Sequence, residues 1–170
     1  MQKSGGIRRI LAASLLLALT ACGFHLRGIG SLPFESLYVQ DSGAPGIGRD
    51  LKRLLRSSGI KLAANPEEAQ ASLELMSEAD EKRILSLSGK GQVREYELLY
   101  HVVFRLRDAG SELWGEPQTV ELRRDFSYSD SALLAKDAEQ ARLVNDMHSE
   151  AVREVLRRVS SLSKQKPAVE

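Results

Sequence analysis

The chain has 170 residues with 24 basic and 23 acidic side chains, a net charge of +1. A balance this even excludes a strongly basic nucleic-acid binder and an acidic solvating protein. The length suits one domain with a real core, and a single cysteine excludes an intrachain disulfide framework, so packing must supply the stability.

Lys3, Arg8 and Arg9 precede the apolar run Ile10 to Leu19, and no acidic residue comes before Cys22. A basic start, a short apolar run and small residues before a cut read as an export signal. The run is about half the ~20 residues that span a bilayer, so it is not a membrane helix. Leu19-Thr20-Ala21-Cys22 resembles the lipobox of bacterial lipoproteins. That resemblance implies a signal peptide over 1–21 and lipidation of Cys22 by a thioether-linked diacylglycerol and an acylated amine. Each buried CH₂ contributes about 0.8 kcal/mol, so three chains hold a protein at a membrane where one binds only marginally. The alternative is an ordinary secretory signal with a stray thiol. Gly23 stands where an aspartate would signal inner-membrane retention in a Gram-negative cell, which points to the outer membrane. Without Lys3, Arg8 and Arg9 the balance moves from +1 to −2.

Residues 22–33, with Gly28, Gly30 and Pro33, read as a lipidated N-terminus and tether. A single α/β domain is expected over 34–162. Leu37-Tyr38-Val39-Gln40 is a strand ended by Asp41, Ser42, Gly43 and Pro45. Ile47, Leu51, Leu54 and Leu55 then share one helix face, with Gly59 as the stop. Ile60 to Leu62 is at most a strand stub, and Asn65 to Glu68 a loop or one helical turn. A strand from Ser72 to Ser86 alternates poorly where Glu78, Asp80, Glu81 and Lys82 cluster. From Gln92 to Arg107, Tyr96, Leu98, Tyr100, Val102, Phe104 and Leu106 line one face, with Glu95, Glu97, His101, Arg105 and Arg107 opposite. Ser88-Gly89-Lys90-Gly91 supplies the hairpin turn between these two strands. A strand from Gln118 to Tyr128 follows, entered by Pro117 at an edge.

The last element is an amphipathic helix from about Ala132 to Leu162. Leu134, Ala138, Ala141, Val144, Met147, Ala151, Val155 and Val159 recur there at three and four residues. Residues 163–170 form a polar tail expected to be disordered. The predicted fold is a two-layer α/β sandwich, with two helices packed on one face of a mixed four-stranded sheet and the other face charged and open.

No motif points to catalysis. His25, His101 and His148 lack metal-ligand spacing, so no metal is expected, and no Gly-rich phosphate loop or nucleophile elbow occurs. Gly46-Ile47-Gly48 could seat an anion at a helix start, although a loose helix start accounts for it more simply. Glu95 and Glu97 share a strand face, and solvated sheet residues explain that pair better than an acid–base couple. No catalytic residue, no cofactor and no nucleic-acid partner is assigned.

Several stretches together resemble the LptE family of LPS-assembly lipoproteins, partners of the outer-membrane lipopolysaccharide (LPS) translocon barrel LptD. They are Cys22-Gly23-Phe24-His25-Leu26-Arg27, Gly91-Gln92 followed by Glu95-Tyr96-Glu97, Arg124-Asp125-Phe126, and above all Leu134-Ala135-Lys136-Asp137-Ala138-Glu139-Gln140. The resemblance implies a lipid-anchored plug, largely inside the barrel lumen on the periplasmic side, that helps the barrel fold, binds LPS and does no covalent chemistry. It also implies LPS contacts at a hairpin tip and at the start of the last helix. Lys136 matches the helix position. At the hairpin Gly89 falls where a relative carries arginine, and Lys90 stands beside it. An exposed helix lysine and a solvated turn lysine are the plain alternatives for these two. Arg105, Arg107 and Arg123 on the open face suit the polar interior of a barrel, and a solvated sheet face explains them equally well. A lipoprotein scaffold of another envelope complex is the competing function, and a tethered envelope hydrolase the weakest.

Overall fold

The computed structural model describes residues 32–129 and 133–165. Cys22 and its lipobox therefore lie outside the described residues. In chain order the elements are β1 (Ser36–Gln40), α1 (Pro45–Ser57), β2 (Lys61–Leu62), a single 3₁₀ turn (Pro66–Glu68), β3 (Ala71–Leu87), β4 (Val93–Asp108), β5 (Gln118–Ser127) and α2 (Leu133–Gln165). The sheet order is β2-β1-β3-β4-β5. β1 is parallel to both β2 and β3, and β3, β4 and β5 are antiparallel.

The sheet thus has five strands where four are predicted. The fifth is the stub β2, whose residues pair Ser36 with Lys61 and Leu37 with Leu62. Two residues carry almost no pattern, so only the parallel neighbour reveals them as a strand.

α1 begins with Pro45 in its first turn, where a missing N–H costs nothing. It ends in a Schellman arrangement: Gly59 N–H donates to Arg56 O at 3.1 Å and Ile60 N–H to Leu55 O at 3.0 Å. Gly59 has φ +82°, a conformation that glycine adopts without penalty. The turn into α1 needs another glycine, because a Cβ on Gly43 would lie 2.0 Å from the Met76 carbonyl oxygen. That close approach coincides with a register shift in β3 between Leu75 and Ser77, where Met76 bulges out of the ladder.

Both helices pack on one side of the sheet. Ile47, Leu51 and Leu55 of α1 and Met147, Ala151, Val155 and Val159 of α2 join one core with Leu37, Leu73, Leu75, Leu98, Val102 and Phe104. Leu122 of β5 is only half-buried against it. The face assigned to β4 from its alternation is therefore the core face.

The N-terminal part of the predicted α2 stripe is not buried. Leu134 is 85% exposed, and Ala138 and Ala141 face solvent. In those turns Lys136, Gln140 and Leu143 turn inward instead, and Val152 and Leu156 join the buried set further along. A strict three-and-four repeat drifts around a straight helix, so the stripe that fits near Met147 points outward two turns earlier. The helix also takes in Ser163, Lys164 and Gln165, which the pattern assigns to the tail.

Phe104 is fully buried at the centre of the sheet. Phe104→Ala should destabilise the domain by about 3–5 kcal/mol through lost burial and a cavity. Leu134→Ala should cost no more than about 0.5 kcal/mol, as at other surface sites. Denaturant midpoints of the two variants check both values, and equal shifts would refute the face assignment.

Candidate functional site

The cluster at Glu78, Asp80, Glu81 and Lys82 interrupts the alternation of β3, and the structure explains it. After the Met76 bulge, Glu78, Asp80, Lys82 and Ile84 pair with Val102, Tyr100, Leu98 and Tyr96, so they lie on the helix-facing side. Glu78 is used there as an internal ligand. Its Oε2 accepts the Ile47 N–H of the first turn of α1 at 3.0 Å, and its Oε1 accepts the Tyr100 hydroxyl. His148 of α2 places Nδ1 at 2.7 Å from the Tyr100 oxygen and 3.2 Å from Glu78 Oε1, and its Nε2 at 2.9 Å from Asp50 Oδ2 of α1. One half-buried network therefore joins both helices to the sheet. The anion that Gly46-Ile47-Gly48 could seat is the protein's own carboxylate, favoured by the positive end of the helix. Burial, and then the hydrogen bond to Glu78, push the Tyr100 hydroxyl well above its usual value.

Beyond this network the β3–β4 hairpin runs out past β5, whose last residue Ser127 pairs with Glu95. Lys90 sits exposed in the turn, and it makes no ion pair among the described residues. The turn closes with Ser88 N–H on Gln92 O at 2.7 Å and with Gly91 at φ +76°. Nothing lies within 4 Å of a Cβ placed on Gly89, so packing does not demand glycine there. Lys136 is at the same end of the sheet, but it is not a freely solvated lysine. Its Nζ donates to Ser127 Oγ at 3.2 Å and Glu139 Oε2 at 2.8 Å, and its side chain is only 19% exposed. The structure therefore brings both sequence-assigned lysines to one end without placing them in contact.

That end carries features the sequence reading missed. Ile84, Leu85 and Leu87 of the hairpin and Leu133 and Leu134 of α2 are all exposed. Lys82 Nζ sits 4.0 Å from the ring centre of Tyr96, 5.6 Å from Phe126 and 5.7 Å from Tyr128, and it donates to Gln140 Oε1 at 2.6 Å. The signal was present as a lysine interrupting an otherwise strand-like run, while the gathering of Tyr96, Phe126 and Tyr128 around it depends on the pairing of β4 with β5.

The opposite side of the sheet is charged, and its charges meet one another. Arg105 pairs with Glu74, while Arg123 bridges Glu97 at 3.2 Å and Glu121 at 3.3 Å. His101 Nδ1 lies 3.6 Å from Glu121. Trp114 folds over this face, with the guanidinium carbons of Arg105 and Arg107 at 4.7 and 4.8 Å from its ring. Glu95 accepts the Ser86 hydroxyl, so it and Glu97 have separate partners and do not act as a pair. Among the described residues no group of His, Cys, Asp and Glu could hold a metal, and no helix is long and apolar enough to cross a membrane.

A family model described as LptE, lipopolysaccharide-assembly, matches residues 34–159. The LPS-assembly lipoprotein LptE of Pectobacterium atrosepticum is 28% identical over 158 residues, covering 90% of this chain and 85% of that protein. Among solved structures, lipoprotein B from Nitrosomonas europaea is 38% identical with a TM-score of 0.70, covering 84% of this chain and 94% of that one. The rare lipoprotein B from Shewanella oneidensis is 29% identical with a TM-score of 0.68, covering 75% of this chain and 96% of its own.

Glu78→Ala should remove a helix cap and the carboxylate partner of the Tyr100 hydroxyl, which keeps His148, at a cost of about 2–3 kcal/mol in a denaturant melt. Tyr100 adds a pH signature. Its folded pKa is raised above the unfolded value of about 10, so its contribution is complete below that pH and is lost as pH rises further. Tyr100→Phe should therefore lose stability at neutral pH and lose less than the parent between neutral and strongly alkaline pH. An unchanged alkaline slope would contradict the network.

Proposed function

The chain belongs to the LptE lipopolysaccharide-assembly family, and we propose that it works as a non-enzymatic outer-membrane lipoprotein that plugs and helps assemble the LPS translocon barrel LptD. The match over residues 34–159 is the observation that carries this reading. Two features of the molecule support it. The open sheet face is polar yet internally compensated, which suits a surface lying against the polar lumen of a barrel. The far end combines cations with exposed apolar side chains, which suits a ligand that carries both phosphates and acyl chains.

In this reading Cys22 carries the lipid and holds the protein at the periplasmic side of the outer membrane. Lys136 meets LPS phosphates by exchanging its bond to Glu139, with weaker help from Lys90. Recovery of the tagged lipoprotein from membranes in mild detergent tests the barrel assignment. A large outer-membrane barrel should co-purify, and recovery of a different envelope complex would refute it. Mass spectrometry of the mature N-terminal peptide should show a diacylglyceryl and an acyl group on Cys22, and an unmodified cysteine would refute the anchor.

Lys136→Asp tests the ligand. It leaves Glu139 without its cation and adds a like charge one turn away, which costs only about 0.2–0.5 kcal/mol of fold stability. LPS binding should weaken and lose part of its salt dependence while the melting temperature barely moves. Equal affinity at low and moderate salt would reduce Lys136 to a structural lysine.

A further inference from the structure

Lys82 differs from the other cations at this end in what holds it. The rings of Tyr96, Phe126 and Tyr128 and the amide of Gln140 are all neutral, so they fix the ammonium in place without cancelling its charge. Lys136, by contrast, is paired with a carboxylate. The rings are themselves ordered: Tyr96 stacks on Phe126 at 5.7 Å and meets Tyr128 edge-on at 5.1 Å. An ammonium has three donors, and with one committed to Gln140 there is donor capacity left for another acceptor. Asp80 precedes it by two residues on the same face, and Lys82 makes no ion pair among the described residues. Gln140, which holds Lys82, is about one helical turn from Lys136, so both cations lie along the same stretch of α2. The exposed side chains Ile84, Leu133 and Leu134 lie at the same end.

We propose that Lys82 is a phosphate-binding residue for the acylated, phosphorylated amphiphile, with Tyr96, Phe126 and Tyr128 as the positioning residues that hold it. This rests on the LPS-binding reading above. A cation already ordered before binding loses little side-chain entropy when an anion arrives, which is where it gains over a solvated lysine.

The test uses the full lipidated chain in mild detergent, with purified LPS and LPS stripped of its lipid A phosphates as probes. Lys82→Gln removes the charge and keeps a donor, and it should weaken LPS binding about tenfold with a shallower salt dependence. Lys82→Arg keeps both charge and ring contact and should bind within about twofold of the parent. Gln140→Glu keeps every packing contact of Lys82 but sets a carboxylate on its ammonium, so it should weaken LPS binding even where Lys82→Gln melts early. All variants should bind the dephosphorylated probe alike. Parental affinity in both Lys82→Gln and Gln140→Glu would overturn the proposal, and so would equal losses for both probes, which would mark a packing role. If Lys136→Asp weakens binding and the Lys82 and Gln140 variants do not, only this inference fails. If the parent does not bind LPS, the reading beneath it fails as well.

Discussion

The constraint behind most of this structure is that the hairpin is longer than the apolar surface of the helix layer can cover. β3 has 17 residues and β4 16, which at about 3.3 Å per residue span about 55 Å. α1 has 13 residues, about 20 Å, and it packs where β1 and β3 run side by side. α2 is long enough but crosses β4 and β5. On the helix-facing side of distal β3, α2 arrives with polar side chains, His148 at Glu78 and Gln140 at Lys82, and polar residues occupy positions that would otherwise be core. Glu78, Asp80 and Lys82 follow from that lack of apolar cover, as does the exposed Ile84.

Glu78 marks the edge of the apolar cover. A carboxylate with 18% side-chain exposure is costly unless its oxygens are satisfied, and here one backbone N–H, one hydroxyl and one imidazole share it. Gly46 is part of the same fit, since a Cβ there would lie 2.9 Å from Glu78 Oε2. The network couples the start of α1 to the middle of α2 through His148 and Asp50. Removing any one member strands others, so its energetics are not a sum of pairs. The bulge at Met76 is what turns Glu78 toward the helices; without the shift the residue would share the open face with Glu74.

Where a local pattern is long, the sequence already contains the answer. Tyr96, Leu98, Tyr100, Val102, Phe104 and Leu106 form the core face of β4 despite the apolar Leu99 and Val103 opposite, and Gly59 stops α1 where its spacing says it should. The errors arise where tertiary context decides. β2 has only two residues, so nothing local separates it from a loop. The α2 stripe leaves the core toward the helix start, because a three-and-four spacing drifts around the axis and Lys136, Gln140 and Leu143 turn inward there instead. The broken alternation of β3 was visible as a break, yet its cause was a bulge plus a polar partner surface, and neither is encoded within β3 alone. Of the assigned residues, Lys136 and Lys90 were placed at one end of the sheet by hairpin and helix geometry, while the ion pair that half-hides Lys136 depends on Glu139 choosing that rotamer.

The two charged regions differ in compensation, and this bears on what each can do. On the open face each acid–base pair is closed within the sheet, with Trp114 over the two arginines at one end. Such a face can lie against a polar wall without requiring matched countercharges from it. Among the described residues, Lys90 at the hairpin end has no acidic partner and Lys82 has only neutral ones. Arg49 and Arg56 on the outer side of α1 are also exposed, but among the described residues no ring or amide holds them, so an anion there would have to order a long side chain first. Charge alone does not separate these sites. Fixed position next to apolar surface does, and among the described residues that combination falls at the end of the sheet where α2 begins.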